Sequence, residues 1–365
     1  MIADNIAQAG TSIWLDDLSR SKISGTDSLS LPTRIKNSGV VGVTTNPSIF
    51  NSAITGSVDY ASDIAAMKSQ SPEEIVKKLT TDDVRQACDL FSEIYAKTAG
   101  VDGRVSIEVD PRLAHETQKT IKEGKELWAL VNRPNLMIKV PATLAGLPAI
   151  TELIASGISV NVTLIFSCQR YEEVIDAFIA GVEEAIKRGN DVSQIHSVAS
   201  FFISRIDTAV DQALKKINTA ESVALLGQAA IANAVLAYEL FLTKSASARW
   251  GKLKAAGAHM QRPLWASTGV KDPAYDDTRY VMELVAPHTV NTMPQSTLDA
   301  VLDHGKFHGN TITPAIEKSH VVMAQLAKTG VSLNSITDTL EVDGVASFSK
   351  AWQALLDDVD KVRNA

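Results

Sequence analysis

Eight short runs of apolar, mostly β-branched residues recur along the chain, separated by longer amphipathic stretches. They are Ser12–Leu15, Val40–Thr44, Arg104–Val109, Leu136–Val140, Ile158–Leu164, His196–Phe202, Pro263–Ser267 and Thr289–Met293. Near-continuous apolar character over this length suits strands covered on both faces, as in a parallel sheet. The segments between them carry helix signals. Ser71-Pro72-Glu73-Glu74 offers an N-cap, a proline at the first helical position and a capping-box carboxylate. Lys97 and Gly100 then supply a basic last turn and a stop. His115–Leu130 and Tyr171–Arg188 are amphipathic, and Ala220–Lys244 reads as one long helix of roughly 37 Å at 1.5 Å per residue. Phe348, Trp352, Leu355, Leu356, Val359 and Val362 fall at helical spacing and predict a C-terminal helix at about 346–363, the stripe serving as a packing face.

Strands alternating with helices eight times predict a single (β/α)8 TIM barrel over residues 1–365, with additional helices. A doubly wound sheet is the alternative, but no GxGxxG follows an early strand and no GxxxxGKS/T occurs. No stretch rich in Pro, Gly or Ser separates two domains, and no fixed-period repeat suggests a solenoid. The polar segment Ser24–Asn37, with Pro32, fits a loop and a helix of the barrel.

Composition narrows the function classes. A hydrophobic fraction of 45% across 365 residues supplies a large core and excludes disorder as the main state. The formal charge of −7 gives no global basic field for a nucleic acid, although a pocket for one phosphate remains open. Cys88 and Cys168 lie far apart without CxxC spacing, which argues against a disulfide framework or zinc ribbon and fits a reducing cytoplasm. The first ten residues do not resemble a signal peptide, and no apolar run is long enough to predict a membrane span.

In a parallel barrel the reactive groups sit at the C-terminal ends of the strands. Here those ends carry Asp16, Thr44 and Asn46, Glu108, Lys139, Asn161 and Thr163, Ser200 with Arg205 beyond it, Ser267 with Lys271 beyond it, and Asn291-Thr292. Polar strand ends are common in any barrel. Lys139 is different because Ile138 and Val140 flank it. An inward-pointing ammonium loses its hydration, which favours the neutral amine that attacks a ketone to form a Schiff base. The residues alone leave open that Lys139 snorkels outward or pairs with Glu108. Asp16 and Glu108 would share the barrel mouth with the amine and supply the proton transfers that imine chemistry needs.

The motifs at these ends resemble the transaldolase family. Gly42-Val43-Thr44-Thr45-Asn46-Pro47-Ser48 is similar to the family signature at strand two, and Leu136–Thr143 to the Schiff-base lysine segment. Val105–Arg112, Asn161–Ser167 and Ser200–Arg205 match further family positions in order. Trp265–Lys271 is similar to the longer bacterial form. The resemblance covers about Trp14 to Pro294. It implies a (β/α)8 barrel that, without a cofactor or metal, transfers a dihydroxyacetone unit from sedoheptulose 7-phosphate to glyceraldehyde 3-phosphate. The products are erythrose 4-phosphate and fructose 6-phosphate, in the non-oxidative pentose phosphate pathway. Carried over by position, Lys139 forms the imine. Glu108 positions a proton-shuttling water or is itself the acid/base group, and Asp16 deprotonates the donor's C4 hydroxyl. Thr44, Asn46, Asn161, Thr163 and Ser200 bind sugar hydroxyls or hold the lysine and water, while Arg205 and Ser267 bind phosphate. Many members carry a second arginine where this chain has Gly269, and Lys271 is the substitute expected here. The partners expected are phosphorylated sugars, with no nucleic acid or membrane, for a cytoplasmic monomer or homodimer.

Three rivals accompany this expectation. A class I aldolase on the same barrel would release free dihydroxyacetone. A metal-dependent isomerase needs a ligand cluster, and the His304/His308 pair, beside Gly305 and Gly309, makes a poor one. A non-catalytic barrel would use Lys139 only for stability.

Overall fold

The computed structural model describes residues 1–55 and 57–364. Eight parallel strands close into a barrel in sequence order. They are β1 (Thr11–Asp16), β2 (Val40–Thr44), β3 (Arg104–Glu108), β4 (Leu136–Pro141), β5 (Val160–Ile165), β6 (Ser197–Phe202), β7 (Arg262–Ala266) and β8 (Thr289–Met293). Each coincides with one of the apolar runs to within two residues at either end. Every residue of β3, β4, β5, β6 and β8 is buried, as expected of strands with side chains inside the barrel on one face and helices on the other. The register sets Asp16 beside Thr44, Glu108 beside Lys139, and Lys139 beside Asn161, so the polar strand ends share one rim.

The expected capping box forms at Ser71 and Glu74 and opens the helix Pro72–Leu90. That helix stops at Phe91, and Lys97 ends a separate short helix, Ser92–Lys97. The amphipathic stretches form Thr117–Val131 and Cys168–Lys187.

Two helix expectations need correction. The stretch expected as one helix over Ala220–Lys244 is broken into Ala220–Val223 and Ala229–Ser245. Gly227 sits in the break at φ +69°, and a Cβ there would lie 2.7 Å from the Tyr275 ring. The backbone groups freed at the break are taken up from another helix, Ser204–Ile217. Asp211 accepts from Gly227 N at 2.9 Å and Asp207 from Ala230 N at 2.7 Å. Tertiary contacts here outweigh the helix propensity of alanine.

The C-terminal helix runs over Leu333–Asn364, so it begins well before the expected 346. Gly344, in its middle, lets it press on the end of β5. A Cβ at this position would meet Leu164 at 3.1 Å and Phe166 at 3.6 Å. No described helix is long and apolar enough to cross a membrane.

Candidate active site

The segment after β2 shows how local sequence builds the rim. Thr44 Oγ1 donates to Asp16 at 2.6 Å and meets Thr292 Oγ1 at 2.7 Å. Thr45 Oγ1 donates to the Ser106 carbonyl at 2.7 Å, which ties β2 to β3. Asn46 caps the helix Pro47–Thr55 by accepting from Ile49 N at 3.1 Å. The Thr45 carbonyl is left pointing at Lys139, whose Nζ donates to it at 3.0 Å.

Lys139 points into the barrel and is buried to 4% exposure, so the outward-snorkelling alternative is excluded. Its Nζ lies 3.5 Å from Glu108 Oε2. The ammonium thus has one carbonyl and one carboxylate as neighbours, and Phe348 of the C-terminal helix covers it, ring centre 5.7 Å away. Burial raises the Glu108 carboxyl to about 7; Lys139 opposes the rise and Asp16 adds to it. Burial also raises Asp16, against the pull of Lys139 and the hydrogen bond from Thr44. A carboxyl that changes charge near neutrality can both give and take a proton at working pH. Two carboxyl groups with separated environments beside one amine are suited to acid and base roles in one cycle.

A cavity of about 160 Å³ opens at this end of the barrel. Asp16, Thr44, Asn46, Lys139, Thr163 and Ser200 line its inner part. Arg205, Ser267 and Lys271 line its outer part. Two expected site residues do not face it. Asn161 is fully buried below the floor, where it donates to Ser106 Oγ at 3.0 Å and accepts from Ser200 Oγ at 2.7 Å. It holds Ser200 in position. Glu108 lines a smaller chamber on its other side, together with Asn46 and Trp352.

The outer part is cationic. Arg205 opens the helix Ser204–Ile217 and stacks on Phe202 at 5.6 Å. Among the described residues it has no carboxylate within ion-pair distance. Burial lowers its pKa, and Asp343 of the C-terminal helix partly offsets this. Ser267 holds φ +55°, a left-handed conformation uncommon for a side-chain-bearing residue, and this turn brings its hydroxyl to 3.0 Å from Ser204 Oγ. Lys271 is exposed at the rim. Gly269 also lines the cavity. A Cβ there meets only ordinary contacts, Pro294 at 3.5 Å and Thr297 at 3.6 Å, so the position has room for a side chain this chain does not use.

Sequence reasoning missed Phe348 and Trp352 as site residues, because an apolar helical stripe looks the same whether it packs on a barrel wall or a barrel mouth. Thr292 had a signal, its place at the end of β8. At the weak histidine pair, each ring nitrogen of His304 faces a different carboxylate, Asp277 at 2.8 Å and Asp303 at 3.1 Å. Among the described residues no three metal-ligating side chains converge.

The comparison with known proteins agrees with this arrangement. A family model described as transaldolase/fructose-6-phosphate aldolase matches residues 13–359. The chain belongs to the transaldolase/fructose-6-phosphate aldolase family. It is 53% identical to a transaldolase of Mycolicibacterium smegmatis over 354 residues, 96% of this chain and 95% of the relative. It is 54% identical to transaldolase 1 of Streptomyces avermitilis over 358 residues, covering 98% and 94% of the two chains. A transaldolase of Thermobifida fusca is 53% identical over 356 residues, covering 97% and 96%. Family membership extends to both termini of the barrel and into the C-terminal helix, beyond the Trp14–Pro294 span of the sequence motifs.

Proposed function

We propose that the chain is a transaldolase that carries a dihydroxyacetone unit as an imine on Lys139. The observation that carries this reading is a buried primary amine at the C-terminal face of the barrel, 3.5 Å from one carboxyl group and sharing a cavity with a second. The neutral amine attacks the ketone of sedoheptulose 7-phosphate, and Glu108 gives the proton with which the carbinolamine hydroxyl leaves as water. Asp16 takes the C4 hydroxyl proton, the C3–C4 bond breaks, and erythrose 4-phosphate departs. The electron pair stays on the lysine-bound three-carbon unit as an enamine. That enamine attacks the aldehyde of glyceraldehyde 3-phosphate, and hydrolysis of the new imine releases fructose 6-phosphate. Thr44, Asn46, Thr163 and Ser200 bind sugar hydroxyls, and Arg205, Ser267 and Lys271 bind the phosphate; that they line one cavity with Lys139 supports this reading. The enzyme acts in the cytoplasm, as a monomer or homodimer, within the non-oxidative pentose phosphate pathway.

Borohydride reduction in the presence of fructose 6-phosphate, followed by peptide mass mapping, tests the reading. A reduced three- or six-carbon adduct on the Lys139 peptide is expected. Its absence, with activity intact, would sink the imine mechanism. Lys271→Ala is expected to raise the apparent KM for phosphorylated donors by about threefold to tenfold with little change in kcat, as for an exposed charge that aids binding alone. An unchanged KM would remove Lys271 from the phosphate site.

A further inference from the structure

Phe348 and Trp352 stand four residues apart on the C-terminal helix, hence on one face of it. Their rings reach different sides of the Lys139–Glu108 pair. Phe348 lines the sugar cavity. Trp352 lines the separate chamber behind Glu108, which measures about 20 Å³. Its polar lining comes from Asn46, Lys77, Thr80, Glu108 and Glu123. Glu108 Oε1 and the indole Nε1 of Trp352 are buried without a protein hydrogen bond, and Glu108 Oε2 has only the Lys139 ammonium, at 3.5 Å. Buried polar atoms are paired almost without exception, with protein or with water. A chamber of this size holds one water, which needs about two to four polar partners. An orphaned donor and an orphaned acceptor around a space for one water meet that requirement.

We propose that Trp352 is a positioning residue for the transfer reaction: one water in this chamber accepts from its indole N–H and donates to Glu108, holding the carboxyl group in place beside Lys139 from the side away from the sugar. The proposal rests on the reading of Lys139 and Glu108 as the imine-forming and acid/base pair. It gives the apolar face of the C-terminal helix a second task besides packing.

The charged groups around Glu108 are Lys139 from β4, Asp16 from β1, and Lys77 and Glu123 at the chamber wall. Trp352→Phe leaves all of them in place and keeps an aromatic ring on this face, while removing the N–H together with the pyrrole part of the indole. Loss of a hydrogen bond that favours the charged carboxylate moves its pKa upward. The acid limb of the kcat profile is therefore expected to move to higher pH by about half to one unit, with kcat at pH 6.5 down by about fivefold. In a Glu108→Gln background the same substitution is expected to cost less than about twofold further, since the two groups act as one unit.

A purely structural Trp352 predicts a lowered thermal midpoint and a kcat reduced equally at all pH values. An acid limb that stays in place in Trp352→Phe, with Lys139 still trapped by borohydride, would overturn the proposal and leave the imine reading standing. Failure of trapping in the unmodified enzyme would overturn that reading and the proposal with it.

Discussion

Lys139→Ala is expected to abolish dihydroxyacetone transfer, lowering kcat by about 10⁴-fold or more, because no other amine is in place to form the imine. Among the described residues lining the cavity, Lys271 carries the only other primary amine, and it is exposed at the rim, outside the enclosure that holds Lys139. The substitution also leaves Glu108 and Asp16 without the charge that opposes the effect of burial on each. Burial then acts on both carboxyl groups without that opposition, which favours their neutral forms. Coupled assay of fructose 6-phosphate formation measures the rate, and circular dichroism confirms the fold. Retention of more than a hundredth of the activity would rule out a covalent role for Lys139.

Glu108→Gln is expected to lower kcat by about 10²- to 10³-fold, the usual contribution of a positioned proton donor and acceptor. The pH profile adds a sharper reading. Burial raises this carboxyl to about 7. Below that pH it is neutral and above it ionised, so the wild-type profile should bend near neutrality through this group. The amide does not titrate there, and the residual rate of Glu108→Gln should be flat across the same region. A bend that survives the substitution would assign it to another group, with Asp16 the next candidate.

Much of the barrel was legible because strands buried on both sides must be apolar along their length, and such runs stand out from amphipathic helices. A polar residue interrupting one, as at Lys139, or ending one, as at Asp16 and Thr44, then marks the rim. What stayed hidden depends on contacts between distant segments. The break at Gly227 is stabilised by Asp207 and Asp211 from a preceding helix and by the approach of Tyr275. The early start of the C-terminal helix at Leu333 was masked by a polar stretch and by Gly344, where the helix closely approaches the Leu164 side chain. Asn161 shows the same limit on a smaller scale: its place at a strand end was readable, but its engagement by Ser106 and Ser200 required coordinates.

The position of Phe348 and Trp352 has a consequence for how the enzyme comes into being. All eight strands leave the ribosome before Leu333 does. A nascent barrel would thus hold its lysine uncovered for a time, facing the aldehydes and ketones of the cell. Docking of the last segment brings Phe348 over that amine and leaves it reachable only through the lined cavity.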